Sequence, residues 1–362
     1  MIPPLLSSLK TLSMLGLVVR QKPVDTEIRA GGTGRFSGEK GYAPMKNVRT
    51  TLLLAVMAWF CLGTPAQQSP PPGSQEQGKG GRGAGGAGQG RGGRGAAPRN
   101  GKKTILAWAD TRNGIAQHDS VSHALAVIER LGYESGLYNT YIRTDSNIIS
   151  KHPLTTAGQP ASGGPSLDNV DAIFFLGHRE VELTAQQKSD LLSFVKDDGK
   201  GFVAAHTATT AFLSWPEFGE MLGGRYDEHP WGSAPGTVIN EDPNFPATKH
   251  FPATFNLTDE FYQTKDYSRD KIHVVLRLDV SKMPPNQNVH RTDGDFPLAW
   301  AKMYGKGRVF YSSFAHDAKT WDNPDVYHMY FEAIRWALGL TDADVTPRAL
   351  QVSTTVNSAP AR

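Results

Sequence analysis

Cysteine is almost missing from this chain. The only one, Cys61, lies in the apolar run Leu52 to Leu62, and no thiol follows it. Disulfides, thiol nucleophiles and thiolate metal ligands are therefore excluded from everything downstream. Long hydrophobic runs are missing too. The run around Cys61 falls short of the ~20 apolar residues a membrane helix needs, so no stable membrane span is expected. There is no HExxH or comparable metal-binding spacing and no internal repeat. Residues 78–103 contain seven Lys or Arg, no acidic residue and no aromatic ring. Without rings for base stacking, that segment is not read as a nucleic-acid binder.

The N-terminal third has the character of processing and spacer sequence. Residues 45–67 read as a secretory signal peptide, with Lys46 and Arg49 before the apolar run and Thr64-Pro65-Ala66 as small residues for cleavage. Phe60 stands where a lipoprotein signal has a small residue, which argues against lipidation. Residues 1–44 precede a second plausible start, Met45, and read as a non-native or disordered extension. Residues 68–102 form a disordered linker, with Gly at 11 of the 18 positions 78–95, too poor in apolar area to offset chain entropy. A tether to a polyanion is the sharper alternative for this basic stretch. A folded domain is expected over 103–345, followed by a disordered polar tail, 346–362. From residue 104 onward 23 basic residues face 31 acidic ones, a net of −8, so the +3 of the whole chain implies no affinity for nucleic acid. An exported chain without disulfides fits the periplasm or secretion.

Within 103–345, buried-type strands alternate with amphipathic helices. KTILAWAD begins a strand; residues 119–132 read as a helix stopped by Gly132; ESGLYN, VDAIFFLGH and GFVAAH read as strands. Residues 184–199 form a helix capped by Thr184, and another helix is expected from Thr207 toward Gly223. This pattern predicts an α/β domain with a mostly parallel, doubly wound sheet. The second half, from GTVINED to PLAWAKMYGKGRVFYSSF, reads as antiparallel additions and the last strands of the same sheet. Helix 327–339 closes the domain.

Four expected strand ends lead into histidines: His118 with Asp119, His178, His206, and His316 with Asp317. In a parallel sheet these ends share one edge, where ligands bind. His229, in GGRYDEHPW, is a further candidate. TDEFYQTK offers Glu260 and Tyr262, which face one side of an extended segment. Trp215, Trp231 and Trp321 lie near these segments and are candidates for stacking on sugar rings. Each residue also has a plain structural reading, as a turn, cap or core residue. Two chemistries fit the cluster: a divalent, zinc-like metal site with an open position for water, or metal-free acid/base work by His206 and an Asp partner.

Taken together, GFVAAHTATTAF, GEMLGGRYDEHPW, TDEFY, PLAWAKMYGKGRVFYSSFAHD and IRWALG resemble the trehalose-utilisation (ThuA-like) family over roughly 103–340. The resemblance implies a flavodoxin-like fold of the class I glutamine amidotransferase type. The amidotransferase nucleophile, a Cys at the strand-to-helix turn, is replaced here by His206, so glutamine amidotransfer is not expected. Family context implies an enzyme of sugar catabolism acting on a glycoside or a 3-keto sugar by hydrolysis, elimination or isomerisation, with a sugar dehydrogenase as pathway partner. Carried over residue by residue, His206, His316, Asp317 and Glu260 are expected to be catalytic. Tyr262, Trp231 and Trp321 are expected to bind substrate, and His118, Asp119 and His229 to bind metal. The insertion 152–169 departs from shorter members and bears on which substrate reaches the pocket. The alternative reading is a non-catalytic carbohydrate-binding module; a third makes the Gly/Arg segment the functional element.

Overall fold

In a computed structural model, residues 101–350 are described, apart from 113, 115, 116, 156 and 162–164. The chain divides into two units, Met1–Ala84 and Gly85–Arg362, and the described residues lie in the second. The expected signal peptide, the extension before it, the linker up to residue 100 and the tail from 351 lie outside the described residues.

The first half builds a parallel sheet. Strands β1 (Lys103–Trp108), β2 (Tyr138–Arg143), β3 (Ala172–Phe175) and β4 (Gly201–Ala205) alternate with helices α1 (Ser120–Ser135) and α2 (Ala185–Lys196). After β4 come a 3-10 turn, His206–Thr210, and α3 (Pro216–Leu222). The second half adds β5 (Arg225–Glu228), β6 (Ser233–Asn240), β7 (Thr254–Glu260), β8 (Gln263–Lys265), β9 (His273–Leu278), β10 (Pro297–Tyr304) and β11 (Gly307–Ser312). Helices α4 (Ala318–Trp321) and α5 (Pro324–Ala337) follow.

Nine strands form one sheet in the order β2-β1-β3-β4-β11-β10-β9-β6-β7, while β5 and β8 pair separately as a ribbon. The pairs from β2 through β11 are parallel. Those from β11 outward to β7 are antiparallel. Central strands β3 and β4 are buried along their whole length, as a sheet covered on both faces requires. One core packs α1 and α5 against one face, and a second packs α2 and α3 against the other. This is the flavodoxin-like, doubly wound arrangement with antiparallel additions.

Several boundaries differ from the sequence reading, each for a local reason. Helix α1 runs through Gly132 because a Cβ there would sit 2.4 Å from the Tyr138 ring; the position serves close packing. The chain stops instead at Gly136, with φ 69°. Strand β2 accordingly starts at Tyr138. Thr207 does not cap an α-helix: the segment is a 3-10 turn, and α3 begins only at Pro216, a residue suited to a first helical turn. Thr184 does cap α2, in a reciprocal capping box with Gln187. Helix α5 starts earlier than expected, at Pro324, behind the Asn323 cap. Past α5, the Thr346 carbonyl accepts from buried His273, so the chain is tied down at this point. No helix among the described residues is long and apolar enough to cross a membrane.

Candidate metal and active site

The carboxyl ends of β1, β3, β4 and β11 bring four imidazoles together. The His118 ring stands edge-on to those of His178, His206 and His316, with centroids 5.2, 5.2 and 4.6 Å away. His206 occupies the turn directly after β4 with φ 41°, a left-handed conformation rare outside glycine. Its Nδ1–H donates to the Ser313 carbonyl at 2.6 Å, which leaves Nε2 as a lone-pair donor facing inward. That Nε2 is 3.1 Å from His316 Nδ1 and 3.4 Å from Glu260 Oε2, and His316 Nδ1 is itself 3.1 Å from Glu260 Oε2.

Glu260 arrives from β7, at the far edge of the sheet, and its neighbour holds it in place. Asp259 is fully buried and its carboxylate accepts three backbone N–H groups: Glu260 at 2.9 Å, Ala315 at 2.6 Å and His316 at 3.1 Å. Ala315 takes a φ of 81° in this turn. One buried carboxylate thus fixes the backbone of two site residues from different strands.

His118, His206, Glu260 and His316 each present one donor atom, and these atoms lie within 4.8 Å of one another. A tetrahedral ion with bonds of about 2.0–2.2 Å sets its donors about 3.3–3.6 Å apart. The separations among His206, His316 and Glu260 are close to that. Three imidazoles and one carboxylate suit a zinc-like divalent ion, so these residues could hold one. Electrostatics agree. Burial, with repulsion from His206, His316 and His178, lowers His118 from 6.5 to about 3, so it is neutral and available as a ligand. Burial alone would raise Glu260, but hydrogen bonds and charge from His206 and His316 outweigh it and hold the carboxylate well below its usual range. His316 is raised, chiefly by its hydrogen bond to Glu260.

The expected ligand set changes in membership. His118 is in the group, whereas Asp119 is exposed at the N-terminus of α1 and makes no capping bond with its side chain. His229 stands beside the group, its Nε2 3.6 Å from Glu260 Oε1. His206, His316 and Glu260, expected as catalytic groups, supply the other donors. Asp317 lies 3.7 Å from His316 Nε2, too far for a hydrogen bond. Tyr262 packs its buried ring 4.3 Å from the His206 ring, under the site. Trp231 is tied by its indole N–H to the Pro284 carbonyl at 2.8 Å, half-buried on the rim. Trp321 is fully buried, stacked on Tyr330, with its N–H donated to Ala315, so no sugar ring can lie on it. Trp215, also buried, packs against Phe212 and Phe218.

Three participants went unassigned in the sequence. Tyr226 and Glu228 lie on β5, whose pairing with β8 carries them to Tyr262. Glu228 Oε1 is 2.8 Å and the Tyr226 hydroxyl 2.5 Å from His229 Nδ1. His178 is the third. GGRYDEHPW had the Tyr-x-Glu-His spacing, but nothing marked β5 as a ribbon strand. For His178 the signal was its place after β3, shared with the other histidines.

Comparison with known proteins places the domain in a family. The profile of the ThuA family, described as trehalose utilisation, matches residues 104–337. The chain belongs to the ThuA family. Two solved structures share the fold of its ThuA domain. A ThuA-like protein from Bacteroides uniformis is 20% identical, with a TM-score of 0.52, covering 67% of this chain and 94% of that one. Another, from Parabacteroides merdae, is 15% identical, with a TM-score of 0.50, covering 69% and 94%. A search of curated proteins finds no match. The ThuA assignment gives the domain a carbohydrate-related role; it names no partner enzyme, and a dehydrogenase partner draws no support from it.

Proposed function

We propose that this ThuA domain is an enzyme acting on a glycoside or a 3-keto sugar, with a divalent metal held by His118, His206, Glu260 and His316. The observation that carries the reading is the convergence of four metal-type donors from four separate segments on the ligand-binding edge of the sheet. A divalent ion there supplies Lewis-acid polarisation of a substrate oxygen.

His229 is the acid/base group. Its Nδ1–H donates to Glu228, which the Tyr226 hydroxyl also reaches, so Nε2 keeps its lone pair toward the site. With a 3-keto sugar, Nε2 takes the proton from the carbon next to the ketone. The freed pair forms a carbon–carbon double bond as the glycosidic C–O bond breaks, and the leaving oxygen takes the proton back from the imidazolium. Tyr262 backs the His206 ring and keeps water from that side.

Metal analysis of the purified protein, with turnover assays on 3-keto-glucosides and their parent glycosides, tests this. His206→Ala should abolish metal retention and turnover together. His229→Ala should keep the metal and lower kcat by roughly 10²–10⁴-fold. Full turnover by His206→Ala would overturn the assignment. A non-catalytic sugar-binding module draws less support, because two of its three aromatic platforms, Trp215 and Trp321, are buried. Export to the periplasm or beyond is proposed on the strength of residues 45–67 alone.

A further inference from the structure

His229 lies just past the end of β5, where ribbon pairing no longer holds the chain. Two residues of that strand turn toward its ring: the Tyr226 hydroxyl is 2.5 Å and Glu228 Oε1 2.8 Å from Nδ1. The register of the ribbon slips between them, a bulge of the kind that re-aims a side chain. The residue in that slip, Asp227, has other partners. Its Oδ2 accepts from Gln263 Nε2 at 2.7 Å and from His290 Nδ1 at 2.8 Å. Beyond the strand, the Gly232 N–H donates to the His229 carbonyl at 3.0 Å and closes a turn.

His290 belongs to a loop, residues 284–291, that also grips this turn. The Trp231 indole N–H donates to the Pro284 carbonyl at 2.8 Å, and Asn286 Nδ2 donates to the Pro230 carbonyl at 2.5 Å. The loop therefore holds the chain on both sides of His229, at Asp227 before it and at Pro230 and Trp231 after it. The loop is itself stiff. Pro284 and Pro285 have fixed φ. Asn286 Oδ1 accepts the Asn288 N–H at 2.9 Å, an Asn side chain closing its own turn. Fully buried Gln263 accepts the N–H groups of His290 and Arg291 at 2.9 and 3.3 Å.

A ring that takes a proton from one carbon and returns it to one oxygen must keep its Nε2 within hydrogen-bond reach of both. Glu228 fixes the N-terminal side of His229, accepting its backbone N–H and its ring N–H at 2.8 Å each. Asn286 fixes the C-terminal side, through the carbonyl of the next residue. We propose that Asn286 is a positioning residue for His229: its amide N–H, presented by a stiff loop, holds the Pro230 carbonyl so that the ring Nδ1–H stays on Glu228 and Nε2 stays toward the site. This deepens the reading of His229 as the acid/base group, and rests on it.

Two variants separate this role from a part in the loop's own fold. Asn286→Asp keeps the acceptor for the Asn288 N–H and loses the donor to Pro230, whereas Asn286→Ala loses both. In the full chain with isotope-labelled histidine, nuclear magnetic resonance of the wild type should show a downfield ring Nδ1–H signal that is missing from His229→Gln. Both Asn286 variants should lose that signal to exchange with water. Turnover of a 3-keto-glucoside should fall about tenfold or more in kcat, with KM within about twofold and metal content unchanged. A wild type without the signal, or an Asn286→Asp variant that keeps it, overturns the positioning role. So does wild-type kcat in both variants, or a loss of kcat matched by loss of metal. If the wild type turns over no sugar, the acid/base reading falls by itself. The Nδ1–H signal then decides alone: its loss in both Asn286 variants upholds the positioning of the ring, and its survival overturns it.

Discussion

His118 and His316 sit at the same site with opposite proton affinities. Burial among like groups drives His118 down from 6.5 to about 3, while the hydrogen bond to Glu260 drives His316 up. Between pH 3 and 6.5 the unfolded chain binds the His118 proton and the folded one does not, so His118 makes stability fall as pH drops through that window. The raised His316 contributes stability that is fully present below its ordinary 6.5 and is lost as pH rises through its higher folded value. Glu260, depressed, contributes stability present above its ordinary 4.5 and lost as pH falls through its folded value. With metal removed by chelator, the urea midpoint should decline as pH falls below about 6.5, before Glu260 begins to protonate. His118→Ala should flatten that limb. An equally steep decline in the variant would show that the buried imidazole is not its cause.

At the scale of elements, the site depends on a tie between strands that never pair. Strand β7 lies at the far edge of the sheet from β4, separated by β11, β10, β9 and β6. Asp259 bridges the distance by accepting the N–H groups of Glu260, Ala315 and His316. Asp259→Asn removes the charge and turns an amide N–H₂ toward backbone donors, so the 315–316 turn must shift. Zinc affinity, measured by chelator competition, should fall roughly 10–100-fold, the range typical of outer-shell changes. The circular dichroism spectrum should stay that of the wild type. Unchanged affinity would remove Asp259 from any positioning role. A second element contact is steric. A Cβ on Gly201 would lie 2.5 Å from the Ala337 carbonyl, so glycine lets α5 settle on β4 and sets the height of the strand that ends at His206.

For the whole molecule, the proposed location rests on the N-terminal segment. Expressed with residues 45–67 intact, the mature protein should begin just after Ala66 by N-terminal mass analysis and appear in the periplasmic or culture fraction. A product that keeps residues 45–67 and stays with the cytosol would defeat that proposal. Because the only cysteine falls within that segment, a processed chain would fold identically under oxidising and reducing conditions.

Much of this protein can be read in its residues. Alternation of buried apolar runs with amphipathic helices requires a covered parallel sheet, since only helices on both faces can bury VDAIFFLG and GFVAA. Histidines placed after those runs must then share one edge. Local pattern did not decide which of them share a ligand sphere. His118, His206 and His316 meet Glu260 because long-range pairing swings β7 over the edge, and Asp259 locks it there through contacts 56 and 57 residues apart. The β5–β8 ribbon leaves His229 beside the group, and packing on Phe174 and Tyr330 buries Trp321 in the core. Periodicity is a property of neighbours in sequence, so it fixes elements and their faces; the distance between side chains from different strands belongs to the packed sheet alone.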